Sequence, residues 1–149
     1  MTRVQTCALP IYLASARLGT ENILGRPFEV TESTKGPLML EVSRTGGKIQ
    51  GTVIDDHDMP VAGAQVILVP PIDFREDQTA YKNAIADGRG RFKLAGIRPG
   101  HYTAYSVRQR VDLRAWMNPE FLTPYLASGE PLDVLAEQSV ERNLKVIVP

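Results

Sequence analysis

The strongest constraint on the fold is a series of short segments in which apolar and polar residues alternate. Alternation with a period of two places one row of side chains on each face of an extended chain, the pattern of a half-buried β-strand. Turns rich in Gly, Pro and Asp separate these segments about every 8–12 residues, which is typical of β-sandwiches. The pattern predicts an all-β protein, a Greek-key β-sandwich of about seven short strands. The predicted strands are 12–18, 38–43, 49–53, 65–69, 81–86, 91–94, 101–107 and 143–148.

One short irregular helix is predicted near 118–128. Asn118 can cap a helix, Pro119 suits the first helical position, and Gly129 suits the end. Pro124 lies inside this stretch and lacks a backbone N–H, so one or two turns are expected rather than a long helix. The stretch 72–79 is polar and is predicted to be a loop.

The first two predicted strands precede a pair of adjacent glycines, Gly46 and Gly47. Adjacent glycines weaken a strand and suit a joint between modules. In the first strand, alternation predicts that the even-numbered residues from Tyr12 to Leu18 share one face, and that Leu13 lies on the opposite face with Ser15.

Four sequence elements after the joint resemble one known family. They are 51–55 (GTVID), 59–64 (MPVAGA), 86–92 (ADGRGRF) and 96–102 (GIRPGHY). In this order and spacing they resemble the carboxypeptidase regulatory-like domain, a transthyretin-like (prealbumin-type) sandwich with a carbohydrate-binding-like fold. The resemblance implies an accessory domain, because the metal-binding and acid–base residues of the peptidase belong to a different domain.

The residues of these motifs have physical roles in specifying the fold. Asp87 can accept hydrogen bonds from nearby backbone amides, and Gly63 and Gly90 allow tight backbone turns. Phe92 and Tyr102 are expected to fill the core.

Three segments follow from the joint and the resemblance. Residues 46–149 are predicted to form a complete carboxypeptidase regulatory-like sandwich, and 12–45 the closing strands of a truncated preceding sandwich module. Residues 4–11 (VQTCALPI) resemble the translation of a sequencing adapter, which predicts that 1–11 are non-native, that the native part of this sequence begins near Tyr12 and that the true N-terminus is missing. The alternative is a genuine apolar lead-in to a strand. With the native N-terminus missing, a signal peptide cannot be sought.

Charge and hydropathy limit the possible partners. Lys plus Arg and Asp plus Glu both number 17, so the formal net charge is zero. A nucleic-acid-binding domain usually carries a basic excess on one face, so no nucleic-acid partner is expected. No apolar stretch approaches the roughly 20 residues that span a bilayer, so no membrane insertion of this segment is expected.

The sequence contains no arrangement typical of catalysis. His57 lies among acidic residues but lacks the spacing of a calcium loop, so a solvated hairpin turn is expected there. His101 is 44 positions away, without the spacing of a zinc motif. Ser106 and Ser128 lack the nucleophile elbow, and the C-terminal glutamates show no pairing. We therefore predict no catalytic residues, no metal and no cofactor.

A hypothetical ligand site consists of aromatic residues, whose flat rings can stack on sugars. Trp116 and Phe121 flank the predicted helix, and packing of these rings onto the sandwich core is the favoured interpretation. The candidate ligand-binding residues are Trp116, Tyr105, Phe121 and Tyr125.

These observations predict a non-catalytic accessory or interaction module of a larger secreted or cell-envelope bacterial protein. Its expected partners are neighbouring domains of the same polypeptide, and a glycan or protein surface. Family resemblance implies an extracellular, periplasmic or outer-membrane-associated location. The alternatives are a carbohydrate-binding module, or an accessory fragment of a peptidase or outer-membrane receptor whose functional domain is missing.

Overall fold

The computed structural model describes residues 11–148, and the all-β sandwich predicted from alternation is confirmed. The adapter-like residues 4–10 lie outside the described residues. The strands are β1 (Tyr12–Leu18), β2 (Glu21–Asn22), β3 (Leu38–Ser43), β4 (Gly47–Ile54), β5 (Gln65–Val69), β6 (Lys82–Ile85), β7 (Arg91–Ile97), β8 (Gly100–Val107), β9 (Glu130–Val134), β10 (Ser139–Glu141) and β11 (Leu144–Lys145). The helical turns are α1 (Leu113–Trp116), α2 (Pro119–Leu122), and 3₁₀ turns at Ile72–Phe74, Gln78–Ala80 and Thr123–Ser128.

Two sheets form the sandwich. One has the strand order β6-β5-β8-β9, all antiparallel. In the other, β4 pairs with β7 on one side and with β10 and then β11 on the other, the last two in parallel. The interior between the sheets is apolar, as expected for side chains that alternate inward. Its buried members include Ile49, Val53, Val66, Leu68, Phe92, Leu94, Tyr102, Leu132, Val134 and Leu144.

Gly51 of β4 lies against Arg142, in the short segment that connects β10 to β11. A Cβ atom at this position would overlap the backbone carbonyl of Arg142. The Arg142 N–H donates to the Gln50 carbonyl (2.9 Å), and the Thr52 N–H to the Asn143 side chain (3.3 Å). Only glycine fits at position 51, because the two backbones approach so closely. This role of the motif 51–55 was not predicted from the sequence.

The turn roles predicted for the other motif residues are confirmed. The Asp87 carboxylate accepts from the backbone N–H of Arg89 (2.8 Å) and of Arg91 (2.9 Å). Gly90 has φ +74°, the left-handed region that favours glycine. Phe92 and Tyr102 are both buried.

Strands β1, β2 and β3 form a separate sheet in the order β2-β1-β3. The predicted faces of β1 are wrong for Tyr12 and Leu13. A register shift between Leu13 and Ser15 places Leu13 opposite Val42, whereas Ala16 lies opposite Leu40. Because this bulge inserts one extra residue, Leu13 shares the face of Ala16 instead of that of Ser15.

This N-terminal sheet is joined to the sandwich by Arg98, which follows β7. The Arg98 Nε and Nη2 groups both donate to the Leu13 carbonyl, at 3.0 and 2.8 Å. The guanidinium carbon lies 4.7 Å from the centre of the Phe74 ring, and Nη2 lies 3.8 Å from Asp77 Oδ2. Phe74 also packs directly against Gly25 of the N-terminal segment.

Helical turns cover the outer face of the β5–β8 sheet, so β5 is buried on both faces. The predicted turns near 118–128 are present, and the Asn118 side chain accepts from the Glu120 N–H (2.9 Å). Alternation did not predict β2, β9, β10 or α1. The stretch predicted as a loop at 72–79 contains 3₁₀ turns, and the predicted last strand 143–148 is reduced to β11 and an isolated bridge at Ile147.

Candidate functional site

The four aromatic residues singled out in the sequence are brought together over the outer face of the β5–β8 sheet. Strand β8 contributes Tyr105, α1 contributes Trp116, α2 contributes Phe121, and the following 3₁₀ turn contributes Tyr125.

Trp116 is at the centre of the cluster. Its ring centroid lies 5.5 Å from that of Tyr105, 5.3 Å from that of Phe121 and 5.1 Å from that of Tyr125. The Trp116–Phe121 pair is edge-to-face at 84°, an arrangement that aromatic quadrupoles favour. Phe121 and Tyr125 lie side by side, 5.5 Å apart and inclined at 33°.

Burial divides the cluster into two pairs. Trp116 is 0% exposed and Tyr105 is 2% exposed, so neither presents a ring face to solvent. Phe121 and Tyr125 are half-buried. The burial of Trp116 fits the packing interpretation, and a ligand role for any of the four residues stays a prediction.

The surroundings of the cluster are apolar. Burial raises the pKa of Tyr105 above its usual value, and nearby Arg75 partly opposes this shift. Burial likewise raises the pKa of Tyr81, whose hydroxyl donates to the Arg75 carbonyl (3.1 Å). Within residues 11–148, the Trp116 Nε1 group is buried without a hydrogen-bond partner.

Local hydrogen bonds hold the helical turns in place. The Asp112 side chain caps α1 by accepting from the Arg114 N–H (2.8 Å). The Gln65 amide, buried at the start of β5, donates to the Val111 carbonyl (2.9 Å) and accepts from the Val111 N–H (2.7 Å). This reciprocal pair fixes the loop between β8 and α1. This role of Gln65 was not predicted, although a Gln that opens an apolar run is a visible signal in the sequence.

The other candidate groups do not come together. His57 lies in an exposed turn, in which Asp55 accepts from the N–H groups of Met59 (3.0 Å) and His57 (2.8 Å). His101 is exposed on β8 and contacts Asp133 of β9. Among residues 11–148, no three His, Cys, Asp or Glu side chains are grouped so that they could hold a metal ion.

A cleft of about 650 Å³ lies beside the C-terminal strand and was not anticipated from the sequence. Its polar lining includes Ser128, Glu130, Asn143 and Lys145. Ser106 lies at its floor, 1% exposed, and its hydroxyl donates to the Lys145 carbonyl (2.7 Å). This hydrogen bond ties the C-terminal strand to β8.

Comparisons with protein-family models and with curated proteins found no match. Among solved structures, the chain resembles the TIE protein of Bacillus anthracis, with 12% identity and a TM-score of 0.45 over 73% of this chain and 19% of that one. A candidate carbohydrate-binding protein of Pseudomonas aeruginosa gives 14% identity and a TM-score of 0.45 over 68% of this chain and 88% of that one. The major pilin subunit BcpA of Bacillus cereus gives 16% and 0.42 over 73% of this chain and 33% of that one.

At these identities and TM-scores the similarities do not assign a function. No family model supports the carboxypeptidase regulatory-like resemblance, which is not confirmed. The described residues include no helix with the length and apolar character needed to cross a membrane.

Proposed function

We propose that this chain is a non-catalytic accessory or interaction module of a larger secreted or cell-envelope bacterial protein. Residues 46–149 are its carboxypeptidase regulatory-like sandwich, and 12–45 are the closing strands of a preceding module. An extracellular, periplasmic or outer-membrane-associated location follows from this assignment. The four motif elements after the glycine joint support the assignment, because each is used to specify a turn or the core.

The observation that carries the proposal is the Arg98 junction. A module that spaces or orients its neighbours needs a fixed connection to the unit before it. Arg98 supplies such a connection, since two of its N–H groups converge on the Leu13 carbonyl while its guanidinium packs on Phe74. A forked guanidinium fixes direction as well as distance, as a single flexible contact does not.

The test combines the gene with the protein. Sequencing the source locus upstream of the Tyr12 codon is expected to reveal in-frame coding for a further β-module. A start codon immediately upstream of Tyr12 would contradict the modular assignment. The purified 149-residue chain is expected to hydrolyse no peptide or ester substrate with or without added Zn²⁺. Turnover that co-purifies with the folded chain and is absent after unfolding would contradict the non-catalytic assignment.

A carbohydrate-binding module is the second candidate. Phe121 and Tyr125 support it, since these two half-buried rings lie side by side at a shallow angle on the surface of the helical turns. Such a pair can offer a strip of apolar ring surface to a pyranose.

Glycan-array binding by the wild type tests the second candidate. Binding that disappears in Tyr125→Ala, and persists in Met59→Ala at a remote exposed turn, would support it. Substitution of Trp116 is not a suitable probe, because its complete burial makes it a residue of the packed interior. Equal retention by both variants, or no glycan bound, would remove this candidate.

A further inference from the structure

We propose that β3 is a self-association edge, along which two copies of this chain pair antiparallel and form one continuous six-stranded sheet. In this arrangement Leu40 of one copy lies opposite Leu40 of the other, on the two-fold axis. This proposal goes beyond the proposed function, under which upstream strands of the preceding module compete for the same edge.

Strand β3 has one open edge. Among residues 11–148 it pairs with β1 alone, in the sheet order β2-β1-β3. The Gly19 N–H donates to the Pro37 carbonyl (3.0 Å), so these two residues form a hydrogen-bonded pair. Such pairs recur at every second residue, and the next one is Arg17 with Met39. The odd-numbered residues of β3 therefore direct their backbone groups toward β1. Backbone groups alternate in direction along a strand, so the even-numbered residues are directed outward. The outward groups belong to Leu38, Leu40 and Val42.

The side chains of these same three residues form an exposed apolar row on one face. Leu38 is 51%, Leu40 is 58% and Val42 is 62% exposed. Antiparallel pairing centred on Leu40 places Leu38 opposite Val42 of the second copy. That register pairs every outward backbone group and places each side chain of the row beside one from the symmetry mate.

Charges on the opposite face favour the same register. Glu41 lies opposite Met39 of the second copy. Within that copy Met39 pairs with Arg17 of β1, so Arg17 is the next side chain across the sheet from Glu41. Two strand spacings separate Glu41 from this Arg17 by about 10 Å, within the combined reach of the two side chains. A shift by two residues in one direction would place Glu41 directly opposite Glu41, which like-charge repulsion opposes. The shift in the other direction would move Arg17 of the second copy two residues away from Glu41 along the strand.

The interface is small. A pair of six-residue strands buries less than the roughly 1,200 Å² at which standard stable interfaces begin, so the dimer is weak and depends on concentration. Exposed apolar edge strands that carry no blocking Lys or Pro favour this kind of pairing.

Sedimentation velocity on the full chain tests the edge. Between about 10 μM and about 1 mM, the range of weak interfaces, the wild type is expected to pass reversibly from monomer to dimer. Leu40→Lys places two ammonium groups beside each other on the axis and should weaken association by about tenfold or more. Met59→Lys introduces the same charge at an exposed turn, where Met59 is 60% exposed, and should dimerise like the wild type.

If the wild type stays monomeric up to about 1 mM, the self-association proposal is wrong. The β3 edge would then be free to pair with a strand of another polypeptide. Open-ended aggregation, or equal dimerisation of Leu40→Lys and Met59→Lys, overturns the proposal as well. Far-UV circular dichroism of each variant checks that the fold is retained.

A charge exchange tests the register. In the proposed dimer, Glu41 of each copy is near Arg17 of the other. Either single variant, Arg17→Glu or Glu41→Arg, puts two like charges at both of these contacts and should weaken the dimer about three- to tenfold. The double variant Arg17→Glu/Glu41→Arg restores opposite charges and should recover most of the loss. A double variant as weak as the singles, or singles no weaker than the wild type, contradicts the Leu40-centred register.

Discussion

Two aspartates hold equivalent turns, Asp55 just after β4 and Asp87 just before β7. Backbone N–H groups of Met59 and His57 lower the pKa of Asp55. Those of Arg91 and Arg89 lower the pKa of Asp87 in the same way. A carboxylate that accepts N–H donors is stabilised in its charged form, so each turn is tied to the ionised side chain.

These shifts predict an acid dependence of stability. Because the folded pKa values lie below the unfolded ones, the contribution is complete above about pH 4 and is lost as the pH falls through the folded values. In Asp55→Asn/Asp87→Asn the urea midpoint should therefore fall less between pH 5 and pH 3 than in the wild type, a range set by the ordinary carboxyl pKa of about 3.9. Asp56→Asn keeps both turn carboxylates and is the control; a double variant with the wild-type slope would contradict the prediction.

Trp116 decides whether the aromatic cluster is packing or recognition. Trp116→Ala leaves a cavity under the helical turns and should lower the free energy of unfolding by about 3–5 kcal/mol. Trp116→Phe should cost less, because it keeps part of the volume and removes the buried Nε1–H, which has no partner within residues 11–148. Urea denaturation measures both, with Leu126→Ala, at a side chain 56% exposed in the same helical turns, as the control. A loss below about 1 kcal/mol for Trp116→Ala would contradict the packing role.

At the scale of elements, β5 is the strand on which both layers depend. Val66 and Leu68 belong to the core between the sheets, whereas Ile67 and Val69 belong to the cluster beneath the helical turns. A strand covered on both faces reads as a continuous apolar run, and β5 (QVILV) has that pattern. The one polar residue of β5, Gln65, holds the loop that leads into α1.

The Gln65 pair should be costly to break. Gln65→Leu keeps the approximate size but leaves the N–H and C=O of Val111 without their partner, so stability should fall by about 1–3 kcal/mol. The same substitution at exposed Gln50 on β4 should change stability by less than about 0.5 kcal/mol. Denaturant unfolding gives both values, and hydrogen exchange should show faster exchange at Val111 only in Gln65→Leu. Equal effects of the two substitutions would contradict this role.

At the scale of the whole molecule, Arg98 connects the N-terminal sheet to the sandwich. Its side chain is 13% exposed, so its bonds to Leu13 are largely shielded from water. The Tyr102 hydroxyl donates to the Arg98 carbonyl (2.8 Å), and burial raises the pKa of Tyr102 to about 12. The residue is thus fixed through both its backbone and its side chain.

Arg98→Lys should separate the two units while leaving the sandwich folded. A lysine keeps the charge but cannot donate two converging bonds or stack on Phe74. Hydrogen exchange across β1 is expected to rise by at least about tenfold, which corresponds to losing about 1.4 kcal/mol of charge-assisted hydrogen bonding. The rates in β5 and β8 should stay unchanged. Exposed Arg89→Lys is the control, and unchanged exchange in β1 would contradict the junction.

The sequence by itself determined the features that depend on neighbouring residues. The bounds of β1, β3 and β5 were predicted as found, because alternation and flanking turn residues act over a few positions. The Asn118 cap and the Asp87 turn are local in the same sense.

Tertiary structure decided everything that depends on which segments meet. The β1 bulge, the parallel pairing of β10 and β11 with β4, and the close approach at Gly51 join residues far apart in the chain. Strand β9 was not predicted, although Leu132 and Val134 alternate in it; its edge position in the sheet tolerates Pro131. Whether Trp116 packs or is exposed depends equally on long-range contact. Strand pairing and side-chain burial depend on residues far apart in the sequence, so the pattern of neighbouring residues does not determine them.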